Sequence, residues 1–91
     1  MFKTLEELIH VVRQRKGSLS EKSYTNKLLR DKKLIIEKAK EEMEELIDAI
    51  EKNSNKIHES ADVLYHLIVL LEANDIKIED VMDELKKRQK K

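Results

Sequence analysis

The chain has 91 residues, enough for a single domain over 1–91, yet a core this small is often completed by a metal or a second subunit. It holds no cysteine, no proline and one glycine, which excludes a disulfide scaffold and a thiolate metal site and leaves almost none of the residues that hairpin turns require. Nineteen basic and nineteen acidic side chains cancel, so no global field draws the protein to nucleic acid or a membrane surface, and any charge effect is local.

The first residues, Met1-Phe2-Lys3-Thr4-Leu5-Glu6-Glu7, lack the apolar run of a signal peptide. No stretch reaches the roughly 18 apolar residues of a membrane span, so a cytoplasmic protein without membrane or nucleic-acid partners is expected. Phe2, Leu5, Leu8, Ile9 and Val12 recur at helical spacing, and Thr4 with Glu7 reads as a capping box, which predicts a first helix over residues 4–16. Gly17-Ser18-Leu19-Ser20 breaks the pattern, and Ser23 is placed to cap a short helix carrying Tyr24, Leu28 and Leu29.

Asp31 is the predicted N-cap of a long helix whose apolar arc is Leu34, Ile35, Ala39, Met43, Leu46, Ile47 and Ile50. Lys52-Asn53-Ser54-Asn55 ends it. A further helix over residues 56–74 carries Ala61, Val63, Leu64, Leu67, Ile68, Val69, Leu70 and Leu71, apolar nearly all round, as suits the centre of a bundle. Ile78, Val81, Met82 and Leu85 mark a last helix, with Glu79 and Asp80 in its first turn and Lys86, Lys87 and Arg88 later, matching the helix dipole; residues 86–91 are expected to fray. The fold class is all-α, a bundle of four to five helices joined by short loops and completed by an oligomeric partner.

Between Ala61 and Leu71 only Asp62, Tyr65 and His66 are polar, and Glu59, Asp62 and His66 fall on one helical stripe that should line a pocket. An ionised carboxylate in an apolar interior costs several kcal/mol unless paired with a cation or bound to metal, so two acids there require an explanation. On the preceding helix Glu42 and Glu45 lie about 60° apart, with Glu42 turned inward and Glu41 and Glu44 away. Antiparallel helices would bring Glu42 and Glu45 opposite Glu59 and Asp62. Oxygen ligands without cysteine favour Mg²⁺, or Mn²⁺, over zinc, and Mg²⁺ takes further ligands from substrate phosphates.

Three readings of these acids stand side by side: metal ligands, salt bridges to Lys38 or other lysines, and ordinary exposed glutamates in a chain that has thirteen. The pairs Glu45/Asp48, Glu72/Asp75 and Asp80/Asp83 read as solvated faces or helix ends. For His66 a hydrogen-bonded core role competes with a ligand role, and Tyr65 reads as core with its hydroxyl satisfied. Glu7-Leu8-Ile9-His10, the one Glu-x-x-His run, stands on an exposed capping position and reads as incidental. A non-enzymatic helical interaction module remains the alternative to an enzyme.

Ser23-Tyr24-Thr25-x-x-Leu28-Leu29, Lys38-x-x-Glu41-Glu42-x-x-Glu45, Glu59-x-x-Asp62-Val63-Leu64-Tyr65-His66-Leu67-x-Val69-Leu70-Leu71 and Asp80-Val81-x-x-Glu84-Leu85 together resemble the phosphoribosyl-ATP pyrophosphohydrolases. The acidic pair of motifs is shared with the wider MazG-like all-helical nucleotide pyrophosphohydrolases. The Ser-Tyr-Thr segment and the Asp-x-Leu-Tyr-His run favour the particular family.

The resemblance implies hydrolysis of phosphoribosyl-ATP to phosphoribosyl-AMP and pyrophosphate, the second step of histidine biosynthesis, by a homodimer of MazG-like bundles. It implies metal ligation by Glu42, Glu45, Glu59 and Asp62, with Glu41 or Glu45 orienting the attacking water. Substrate contacts are expected from Tyr24, Thr25 and His66 and from the cations Lys27, Arg30, Lys33 and Lys38. A house-cleaning pyrophosphohydrolase acting on ordinary or damaged triphosphates would share the same acids. Lys40, Met43 and Asp31 depart from the family pattern, which carries small residues around the acidic pair and a glycine near the start of the long helix.

Overall fold

The computed structural model describes residues 1–18 and 22–89. Five helices follow one another: α1 (Lys3–Lys16), α2 (Tyr24–Arg30), α3 (Lys32–Lys52), α4 (Lys56–Ala73) and α5 (Ile78–Gln89). No strand occurs among the described residues, and no described helix is long and apolar enough to cross a membrane.

Local chemistry accounts for most boundaries. Ser23 accepts from the Asn26 N–H at 3.1 Å and Asp31 from the Leu34 N–H at 3.0 Å, so both predicted caps satisfy an otherwise orphaned first-turn donor. The Thr4 capping box does not form. Helix α1 begins one residue earlier on Phe2, whose carbonyl accepts from the Glu6 N–H at 3.1 Å without a side-chain cap, so Thr4 is already inside the first turn. Helix α5 runs on through Lys86, Lys87 and Arg88 to Gln89, with Arg88 held by Glu84 at 3.1 Å, where fraying was expected. Lys90 and Lys91, like Leu19 and Ser20 of the predicted break, lie outside the described residues.

Two asparagines make the turn on which the site depends. Asn53 closes α3 and Asn55 opens α4, both at φ 54°, a left-handed conformation that asparagine tolerates better than most residues. The Ser54 N–H reaches back to the Ala49 carbonyl at 3.0 Å, satisfying an end carbonyl while the chain reverses. Helices α3 and α4 therefore return as an antiparallel hairpin and pack along their length.

Helix α4 touches every other helix, the central position expected of it. The core is Val12 of α1, Leu28 and Leu29 of α2, Ile35 of α3, and Ile68, Val69 and Ala73 of α4. Asn26 is fully buried within it, donating to the Arg15 carbonyl at 3.0 Å and the Ser18 carbonyl at 2.8 Å and accepting from Ser23 Oγ at 2.5 Å. It thereby joins the end of α1 to the start of α2. The α3 arc divides differently from expectation: Ile35 is buried and Leu34, Ala39 and Leu46 are half-buried, whereas Met43, Ile47 and Ile50 are exposed with Ile36. About 100° per residue separates that exposed stripe from the face that meets α4, on which Glu42 sits between Ile35 and Ala49.

The far end is tied by charge. Arg13 of α1 bonds Glu79 of α5 through both guanidinium nitrogens and lies 3.6 Å from Glu72, while Lys16 bonds Asp75 and donates to the Glu72 carbonyl at 2.7 Å. Glu72 and Asp75 stand at the end of α4, as expected, and there they join an ion-pair clasp. Hydrogen bonding from Arg13 holds Glu79 at a pKa of about 2 in place of the usual 4.5. Because the folded value is depressed, this contribution to stability is present above about pH 4.5 and is lost as pH falls through about 2. Urea unfolding of Glu79→Gln should show a lower midpoint than wild type at pH 7, with the gap closing between pH 4.5 and 2; a gap independent of pH would separate the clasp from Glu79 ionisation.

Candidate metal and nucleotide site

Midway along the hairpin the seam between α3 and α4 is lined by acids. Oxygen atoms of Glu42, Glu45 and Glu59 lie within 4.8 Å of one another, and a ligand atom each from His58, Glu59 and Asp62 forms a second such group sharing Glu59. The four acids singled out from the sequence are therefore brought together, two from each helix. His58 is an addition that the sequence reading missed; its Nε2 stands 3.4 Å from Asp62 Oδ2 at i, i+4, and that spacing is the signal that could have found it.

One oxygen of Glu42 and one of Glu59 are sheltered from water with no hydrogen-bond partner among the described residues. Burial, and then the neighbouring Glu45, push the carboxyls of both Glu42 and Glu59 above the usual range. Carboxylates crowded and desolvated in this way are costly unless a cation joins them. Lys38 does not serve as that cation: its ammonium bonds Glu41 at 3.2 Å along the rim of α3, which raises the lysine pKa. The donor set is oxygen-rich with one imidazole alongside and no sulfur, and it fits Mg²⁺ or Mn²⁺.

Helix α2 lies against one end of this seam. The Tyr24 hydroxyl is 3.0 Å from His66 Nε2, and Thr25 Oγ1 is 2.5 Å from the Tyr65 hydroxyl, so both residues of the Ser-Tyr-Thr segment fasten α2 to α4. His66 is 5% exposed, with Nδ1 2.7 Å from the Asp62 carbonyl oxygen; it is a hydrogen-bonded core residue, and Tyr65 is half-buried with its hydroxyl satisfied. Glu41 is exposed and paired to Lys38, outside the acid groups. Lys27, Arg30 and Lys33 are exposed on α2 and the first turn of α3. Glu7 and His10 stand exposed on α1, away from the acids.

An all-α hairpin that gathers carboxylates from two helices, with a short helix closing one end, defines a small helical protein with an acid-lined seam. The family model for phosphoribosyl-ATP pyrophosphohydrolase matches residues 5–89. A phosphoribosyl-ATP pyrophosphatase of Clostridium novyi is 45% identical over 93 residues, covering 96% of this chain and 82% of that one. One from Haloarcula marismortui is 42% identical over 89 residues, covering 92% and 91%. A histidine biosynthesis bifunctional protein HisIE of Pyrococcus furiosus is 45% identical over 87 residues, where the alignment takes in 94% of this chain but 41% of the longer one. The chain belongs to the phosphoribosyl-ATP pyrophosphohydrolase family.

The raised carboxyl of Glu42 has a consequence for stability. A folded-state pKa above the unfolded value means that ionised Glu42 opposes folding at neutral pH and ceases to do so as pH falls toward 4.5. Glu42→Gln in the presence of a chelator should therefore melt a few degrees above wild type at pH 7.5, with the difference shrinking toward pH 4.5. A melting temperature at or below wild type throughout would mean that the carboxylate is already compensated.

Proposed function

We propose that the protein hydrolyses phosphoribosyl-ATP to phosphoribosyl-AMP and pyrophosphate, the second step of histidine biosynthesis, with Mg²⁺ or Mn²⁺ held by Glu42, Glu45, Glu59 and Asp62. The observation that carries this reading is the pair of sheltered, unpartnered oxygens of Glu42 and Glu59, facing across the helix seam of a chain that matches the family over residues 5–89. The family's substrate is a nucleotide polyphosphate, and a cation held by these acids would supply the positive charge that both lack.

When bound, the metal neutralises charge at the phosphate oxygens and orients them for displacement. Glu42, Glu59 and Asp62, the half-buried members, would hold the metal across the seam. Glu45 is the exposed member of the cluster and is the better placed acid to orient a water toward the α-phosphorus, since Glu41 is engaged by Lys38. Water adds at that phosphorus, its proton passes to a carboxylate, and pyrophosphate leaves. Lys38, at the rim between Glu41 and Tyr24, supplies a cation for the outer phosphates, and Lys27 and Arg30 of α2 and Lys33 of α3 are the further candidates.

Pyrophosphate release from phosphoribosyl-ATP, ATP and a deoxynucleoside triphosphate, with and without Mg²⁺, tests the reading directly. Rapid Mg²⁺-dependent release from phosphoribosyl-ATP is expected. Preference for ordinary triphosphates would move the protein to house-cleaning hydrolysis, and silence on all three would favour an interaction module. Glu59→Gln and Asp62→Asn should each lower turnover by ~100-fold or more and abolish the rise in melting temperature that Mg²⁺ gives wild type.

The second copy of the chain has an evident place in this proposal. Ile36, Met43, Ile47 and Ile50 of α3 and Ile57, Leu64 and Leu67 of α4 are exposed large apolar side chains, and a groove between the helices runs along Ile36, Ala39, Met43, Val63, Leu67 and Leu70. Two such hairpins packed face to face make a four-helix bundle with the acids on its flanks. Size-exclusion chromatography with light scattering should give twice 10.8 kDa for wild type, and Met43→Lys should shift the population to monomer. A wild-type monomer at micromolar concentration would overturn the dimer.

A further inference from the structure

Helix α2 is seven residues long, yet its first residue carries an aromatic ring held against α4 by three independent contacts. Tyr24 stacks on Tyr65 with centroids 6.3 Å apart and planes 19° from parallel, meets His66 edge-on at 5.9 Å, and bonds His66 Nε2 through its hydroxyl at 3.0 Å. Tyr24 is nonetheless 49% exposed, so one side of this layered cluster faces outward. Burial pushes the Tyr24 hydroxyl above its ordinary value, and the nearby charges of Lys38, Glu42 and Glu41 act on it.

The hydrogen-bond directions decide what Tyr24 has to offer. His66 Nδ1 stands 2.7 Å from the Asp62 carbonyl oxygen, an acceptor only, so the ring proton sits on Nδ1. The neutral ring then presents a lone pair at Nε2, and the Tyr24 hydroxyl donates its single proton to it. Nothing remains for the hydroxyl to donate to a phosphate oxygen. The feature left for a ligand is the ring face, fixed in orientation by a chain of hydrogen bonds that ends on the backbone of Asp62, one of the proposed metal ligands.

We propose that the outward face of Tyr24, backed by Tyr65, is the stacking platform for the adenine base of the nucleotide. This deepens the hydrolase reading and rests on it, because it takes the polyphosphate to lie on the acids and the base one ribose away toward α2. Base stacking on an aromatic side chain tolerates different base edges and depends on ring area, so it predicts sensitivity to loss of the ring more than to loss of the hydroxyl.

The chain has two tyrosines and no tryptophan, so its intrinsic emission arises wholly from Tyr24 and Tyr65, and in Tyr65→Phe from Tyr24 alone. The metal-free full chain, wild type and Tyr65→Phe, is titrated with AMP and with ribose 5-phosphate, which lacks the base. AMP should quench the emission saturably in both proteins, and ribose 5-phosphate should not. By calorimetry, Tyr24→Leu should weaken AMP binding roughly tenfold or more, and Tyr24→Phe by clearly less. An equal response to the two ligands, unaltered AMP affinity in Tyr24→Leu, or equal losses in the leucine and phenylalanine variants would overturn the platform. Should Tyr24→Leu not fold, the base-dependence of emission in Tyr65→Phe decides alone. Pyrophosphate release by wild type, measured in parallel, separates the two readings: release without base-dependent quenching sinks only the platform, whereas no release sinks the hydrolase reading itself.

Discussion

Carboxylates from two helices are gathered in one seam with no lysine or arginine among the described residues bonded to Glu42, Glu45, Glu59 or Asp62. This electrostatic constraint shapes much of the rest of the structure. Desolvation disfavours the charged forms of Glu42 and Glu59, and Glu45 adds like-charge repulsion. Apolar packing elsewhere must hold the seam closed against that cost. Helix α4 supplies the hold by packing on all four other helices, with Ile68, Val69 and Ala73 buried beyond the acids. Stability and function thus draw on opposite ends of the same helix.

The two ends of the molecule use charge in contrasting ways. At the clasp, Arg13 and Lys16 meet Glu72, Asp75 and Glu79 with opposite sign, and the carboxyls of Asp75 and Glu79 are pulled below their usual range by hydrogen bonds from those cations. At the seam, acids meet acids, and the carboxyls of Glu42 and Glu59 are pushed upward. A net charge of zero conceals this separation, because compensation is complete over the whole chain but not within the seam.

Much of this was legible in the residues. Ser23 and Asp31 cap their helices as their short polar side chains dictate, and the Asn53-Ser54-Asn55 turn falls where the apolar period stops. Glu42, Glu45, Glu59 and Asp62 could be paired on paper because helical periodicity and a short connection leave an antiparallel return as the natural arrangement. Thr4 misled because a capping box depends on where the first turn begins, and α1, starting at Lys3, already contains Thr4 in its first turn. Residues 86–89 stay helical because charges four apart, such as Glu84 and Arg88, support the last turns.

By itself the sequence determined an all-helical chain of four to five helices, their order, and which acids share a face, since these follow from local periodicity and end chemistry along one chain. Tertiary structure decided the rest. That Glu41 is engaged by Lys38 while Glu45 joins the cluster, that His58 stands beside Asp62, and that the Tyr24 hydroxyl is committed to His66 are matters of side-chain geometry that periodicity alone leaves open. So is the division of the α3 arc, where Met43, Ile47 and Ile50 stay exposed while Glu42 faces inward. Apolar spacing shows that a helix has a face to cover, but which surface covers it depends on how the helices cross and how many chains take part.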